Sequence, residues 1–214
     1  MQFPHYSRPE RIVDGIVHVA GISAGLVAGI VLAVVAISRG EGVHTTGLGL
    51  YGFGLVAMLV CSALYNMTAE GWWKGFYRRL DHAAIFLMIA GTYTPFALLA
   101  IGGKFGMALL AFVWLIAAVG ILVKLTSRTR REKLSIATYL LLGWTIVVAL
   151  DPLLAAVSLP GVVLLLIGGI LYSVGVVFHK WTGLPYNNAI WHLFVLAAAS
   201  CHFVAVLTDV ALAN

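Results

Sequence analysis

Apolar residues along this chain gather in long runs separated by short polar, often basic, turns. A helix that crosses about 30 Å of hydrocarbon needs about 20 such residues. Seven runs meet that need: Ile16–Ile37, Leu48–Met67, His82–Ile101, Phe105–Leu125, Leu134–Leu150, Val162–Val177 and Ile190–Leu212. The fifth and sixth are the shortest, and Asp151-Pro152 followed by Leu159-Pro160-Gly161 reads as a helix stop and a turn between them. Pro95 falls inside the third run and should kink it, which membrane helices tolerate. The pattern predicts an all-α bundle of seven transmembrane helices. It forms one integral membrane domain over 1–214, with 1–15 as a segment ahead of the first span. Internal repeats, low-complexity stretches and linkers are not evident.

Composition agrees: hydrophobic residues make up 62% of the 214 and charged ones 10%, against roughly 45–50% and 25% in a soluble domain. Lipid must therefore solvate most of the chain. The formal charge of +5 does not indicate nucleic acid, because no basic face with interleaved aromatics exists. Its basic residues sit between the spans and set topology instead. Placing the N-terminus in the cytoplasm puts Arg8, Arg11, Lys74, Arg78, Arg79, Lys124, Arg128, Arg130, Arg131, Lys133 and Lys180 inside, and only Arg39 and Lys104 outside. By the positive-inside rule that is the expected orientation, with the C-terminus outside and the bacterial inner membrane as the location. The polar start, with Glu10 and Asp14, is unlike a signal peptide, so the first span is expected to stay in the mature protein. Cys61 and Cys201 both lie in apolar runs and read as buried reduced thiols.

Orientation gives depth. Ser62 and Asn66 lie near the cytoplasmic end of the second span, Asp81 and His82 at the start of the third, and Asn188 and His192 at the start of the seventh. Ser62 and Asn66 share a helix face, as do Asn188 and His192. Each pair alone would read as interhelical glue. Two pairs at one depth with an acid between them read as a polar pocket, since ionisable groups within a bilayer mark function by default. Asp81 is read as a site residue, with a helix N-cap as the bland alternative. Packing is the better reading for His82, and an interfacial, structural role is expected for Asp14 and His18. His202 lies about 15 Å deeper than His192 at 1.5 Å per residue, outside the cluster. Close helix contacts account for Gly25, Gly29, Gly47, Gly49, Gly52 and Gly54. Trp72, Trp73 and Trp191 fit an interfacial aromatic belt.

The stretches Ser62-Ala-Leu-Tyr-Asn66, Leu80 through Pro95, Pro185 through Leu196 and Cys201-His-Phe203 resemble the bacterial hemolysin III proteins. These belong with the progestin and adipoQ receptors, which include adiponectin receptors. The resemblance runs over almost the whole chain from Glu10. It implies seven helices, N-terminus inside, and a zinc ion near the cytoplasmic side. The implied ligands are a helix 2 histidine in Ser-x3-His and two helix 7 histidines in His-x3-His, with a helix 3 aspartate at the metal-bound water. Ser62, Asp81 and His192 match this pattern, whereas Asn66 and Asn188 stand where the family has histidine. Zinc prefers imidazole and thiolate, and an asparagine amide oxygen suits harder cations. No cofactor is therefore expected to be held firmly, and zinc is the ion if His192, Asn66 and Asn188 still bind one.

Three function classes follow. A non-catalytic role in membrane lipid homeostasis or sensing, with membrane lipids as partners, best suits the incomplete site. A zinc-dependent hydrolase of lipid amides or esters is the alternative, with Asp81 handling the water and Ser62 donating to the oxyanion. A cytolysin, as the family name implies, should show a polar stripe through the bundle, and the polar residues lie at one depth only.

Overall fold

The computed structural model describes residues 6–127 and 132–213. Arg128, Arg130 and Arg131 of the basic tally lie outside the described residues. The described residues contain seven helices long and apolar enough to cross a membrane: α1 (Arg8–Arg39), α2 (Gly42–Met67), α3 (Trp72–Ile101), α4 (Gly103–Thr126), α5 (Glu132–Ala156), α6 (Leu159–Lys180) and α7 (Asn187–Ala211).

Several helices begin before their apolar runs, for local reasons. Ser7 caps α1, its hydroxyl accepting from the Glu10 backbone while the Glu10 carboxylate accepts from the Ser7 N–H, and Pro9 fits the first turn. The helix therefore starts within the segment expected to precede it. In α3 the aromatic and basic turn from Trp72 to Arg79 is already helical. Asp81 thus lies more than two turns inside α3, and the N-cap alternative does not hold.

Two spans change their hydrogen-bond pattern where proline or packing requires it. After Pro95, which has no N–H to donate, α3 continues as a π-helical turn over Phe96–Ile101. In α5 a 3-10 segment over Trp144–Ala149 precedes a last helical piece, Leu150–Ala156. Asp151-Pro152 is consequently not a helix stop. Proline is tolerated there because it sits in the first turn of a restarted helix, where no earlier carbonyl awaits its N–H. The Tyr93 hydroxyl donates to the carbonyls of Leu142 (3.1 Å) and Gly143 (2.8 Å), tying α3 to this irregular region.

Polar ties at the two ends fix the antiparallel order. At the basic end, Arg11 donates to the Met67 carbonyl, Lys180 pairs with Glu132 at 2.8 Å, and the Tyr186 N–H donates to Glu10 at 2.9 Å. At the other end, Arg39 donates to the carbonyls of Ala211 and Ala213, and the Ser158 N–H donates to Asp209. The pairs α2–α3, α6–α7 and α1–α2 pack most extensively, while α5 touches its neighbours sparsely. Backbones meet closely where α2 crosses α3: a Cβ at Gly54 would lie 3.2 Å from the Leu87 carbonyl, and one at Gly91 3.0 Å from that of Leu50.

Candidate functional site

The buried stripe of α1 includes Asp14, His18, Gly21, Gly25, Ala28, Leu32 and Ala36, spaced three and four apart. Small residues bring the helix close to its neighbours, and the first turns of the stripe carry Asp14 and His18 inward. Asp14 is 4% exposed and His18 6%. The interfacial reading of this pair is therefore wrong: both are interior, facing the start of α7.

Asp14 is the hub. One carboxylate oxygen lies 2.5 Å from His192 Nδ1, and the other accepts from Asn188 Nδ2 at 2.9 Å. His18 Nε2 lies 3.6 Å from that second oxygen. The rings of His18 and His192 sit 4.4 Å apart, tilted by 51°. On its far side His192 places Nε2 3.3 Å from the Ser62 hydroxyl, and Asn66 donates to the Ser62 carbonyl at 2.9 Å. Asn66 Oδ1 accepts from Asn188 Nδ2 at 3.0 Å. Four residues named from sequence thus meet at one place: Ser62, Asn66, Asn188 and His192. Asp81 stands on the α3 wall facing Ser62 and does not bridge the two pairs. His202 stands apart, with Nε2 3.2 Å from the Leu165 carbonyl.

Two spaces border this cluster. Toward the basic end is a small pocket of about 10 Å³ under Tyr6, Glu10, Arg11 and Tyr186, room for about one water. Burial, more than the nearby Tyr65 phenol and acidic groups, pushes the Tyr6 hydroxyl up to about 12, so it stays neutral. Toward the bilayer centre is a cavity of about 330 Å³. Ser62, Asp81, His18 and His192 line it beside the cluster, with His82, Glu132, His179 and His202 elsewhere along it; Met58, Ile85, Ile89, Leu165, Val195 and Leu196 are among its apolar walls. Trp191 also lines it and packs against His179, so it is not part of an interfacial belt. Further along, the buried Tyr172 hydroxyl has no hydrogen-bond partner among the described residues. Val147 of α5 and Leu166 of α6 belong to the wall, yet are 56% and 50% exposed. The cavity therefore reaches the lipid-facing surface between α5 and α6.

The residues at the implied zinc-ligand positions do not fit that ion. Asn188 turns its NH₂, a donor with no ligating lone pair, toward Asp14 and Asn66, and Asn66 uses its oxygen to accept from it. That leaves His192 as the single imidazole of the set. Among the described residues, a different trio brings candidate ligand atoms within 4.8 Å of one another: Asp14, His18 and His192.

Seven apolar helices with a buried polar cluster at one end and a largely apolar cavity define an integral membrane protein. The chain belongs to the hemolysin III family. The haemolysin-III related family matches it over residues 6–203. It is 39% identical over 198 residues to Hemolysin-3 of Bacillus cereus, covering 92% of this chain and 90% of that one. The Hemolysin-3 homolog of Bacillus subtilis (strain 168) is 36% identical over 92% of this chain and 93% of its own. Monocyte to macrophage differentiation factor of Homo sapiens is 31% identical over 73% of this chain and 67% of its own. No solved structure matches the chain.

Sequence reasoning missed Asp14 and His18. Two signals were available: the Ser7-x-x-Glu10 capping box, which starts the helix early, and the i, i+4 spacing that continues into the stripe of small residues.

Proposed function

We propose that this chain is a non-catalytic protein of the bacterial inner membrane that binds a membrane lipid and serves lipid homeostasis or sensing. The basic end faces the cytoplasm in this reading, and the lipid enters from the inner leaflet. The observation that carries it is the cavity of about 330 Å³, whose walls are largely apolar, which has Ser62, Asp81, His18 and His192 among its polar lining residues, and which reaches the surface at Val147 and Leu166. That volume falls in the range of small-molecule sites, which are mostly apolar with a few placed polar groups. An acyl chain suits the walls, and a headgroup or glycerol-ester region suits the polar end. The name of the Bacillus relatives would favour a cytolysin, but a pore needs a polar lining through the bundle, and the deep walls here are largely apolar.

Lipid extraction tests this. Protein purified in a mild detergent and passed through delipidating washes should release about one phospholipid per chain on denaturation, read by mass spectrometry. Release no higher than from a membrane protein lacking such a cavity would overturn the reading.

A further inference from the structure

We propose that Asp14, His18 and His192 form a binding site for a zinc-like divalent ion that joins α1 to α7. This site is separate from the implied family set, of which it shares only His192, and it does not depend on the lipid reading.

The donor chemistry comes first. Two imidazoles and a carboxylate are a common three-residue set for zinc, with a fourth position left open. The geometry agrees, since one ligand atom from each residue lies within 4.8 Å of the others. All three residues are buried, and His192 is 8% exposed. A buried neutral amide or apolar group would serve mere packing at lower cost than a charged carboxylate between two rings.

His18 supplies the independent observation. Its Nε2 is buried, lies 3.6 Å from the Asp14 carboxylate, and has no partner within hydrogen-bond distance among the described residues. Buried polar atoms are rarely left in this state. A cation between His18 Nε2, Asp14 and His192 Nδ1 would satisfy that nitrogen and screen the carboxylate together.

The surrounding bonds are those that orient ligands. His192 Nε2 lies 3.3 Å from Ser62 Oγ, leaving Nδ1 as the atom beside Asp14. Asn188 donates to Asp14 Oδ2 at 2.9 Å and so holds the carboxylate in place. Partners of this kind fix tautomer and direction in metal sites. Asn188 thereby acts as a positioning residue and not as a ligand, whereas the bonds of Asn66 go to Asn188 and Ser62, outside the three ligands. His18 and His192 also line the cavity, so the open position faces the lipid space.

The test uses full-length protein in detergent, stripped with a chelator and titrated with zinc alone. One zinc per chain is expected. His18→Gln and Asp14→Asn should each weaken binding by more than about 100-fold, beyond the 10–100-fold typical of changes to outer partners. Asn66→Ala should retain zinc within about tenfold, the low end of the range for outer partners, since Asn66 bonds to Ser62 and Asn188 and to none of the three ligands. X-ray absorption on the zinc-loaded unaltered protein should count two imidazoles, a reading that does not rely on any variant folding. One imidazole, no zinc uptake, or loss of zinc in Asn66→Ala with retention in His18→Gln would overturn the assignment.

Discussion

Asp14→Ala should be among the most destabilising single substitutions in this protein, costing about 3–5 kcal/mol, the range for removing one partner of a buried charged pair. The carboxylate is 4% exposed and lies within bonding reach of His192 Nδ1 and Asn188 Nδ2, with His18 Nε2 at 3.6 Å. Alanine would strand these polar groups between α1 and α7, where the adjoining pocket has room for about one water to replace the lost acceptor. Asp14→Asn keeps one acceptor oxygen and the shape, so its loss should be smaller, about 1–3 kcal/mol. Thermal melting of the purified chain in one detergent, with metal removed, ranks the two variants. Equal melting temperatures for Asp14→Ala and the unaltered protein would mean that Asp14 faces solvent or lipid.

Val195→Trp should abolish lipid retention while leaving the chain folded. Val195 lines the cavity one turn beyond His192, between the polar end and the deeper walls. An indole there would fill space that the bundle already leaves open, so the overpacking cost should stay within about 1–3 kcal/mol. Lipid released on denaturation should fall at least about tenfold, a difference of about 1.4 kcal/mol in binding. Leu193→Trp serves as the control: Leu193 is on the same helix but 51% exposed. If both variants retain lipid equally, the lipid lies on the outer surface and the cavity is not its site.

The seven spans were legible because hydrocarbon demands long apolar runs, and no soluble fold mimics that pattern at this density. Their ends were not, because the first and last turns sit where charged residues are cheap. That is why α1 starts at Arg8 and not Ile16, and why α3 starts at Trp72 and not His82. The error at α1 propagated. With the helix taken to begin at Ile16, Asp14 looked interfacial, whereas it lies nearly two turns inside. The convergence of Ser62, Asn66, Asn188 and His192 followed from topology and i, i+4 spacing, which survive small shifts of helix ends. Which way each side chain is rotated about its helix does not follow from depth, so Asp81 was read as the acid between the pairs in place of Asp14. The resemblance also favoured Asp81, since it named an aspartate on the third helix and none on the first.

Of the cavity, the polar lining at Ser62, Asp81 and His192 was read, but its apolar extent was not. That extent lies along the sparsely packed α5, where Trp144, Ile146 and Val147 of its 3-10 segment line the cavity. Neither feature has a residue pattern that differs from an ordinary apolar span.

Photolabelling most directly tests whether a lipid occupies this cavity. Membranes containing the unaltered protein would be loaded with a phospholipid bearing a diazirine near mid-chain, irradiated, and the adducts mapped by mass spectrometry. The account predicts adducts at Ile89, Leu165 or Val195 inside the cavity, competed away by unlabelled lipid. Adducts confined to outward-facing residues such as Leu141 and Val148, and insensitive to competitor, would contradict it.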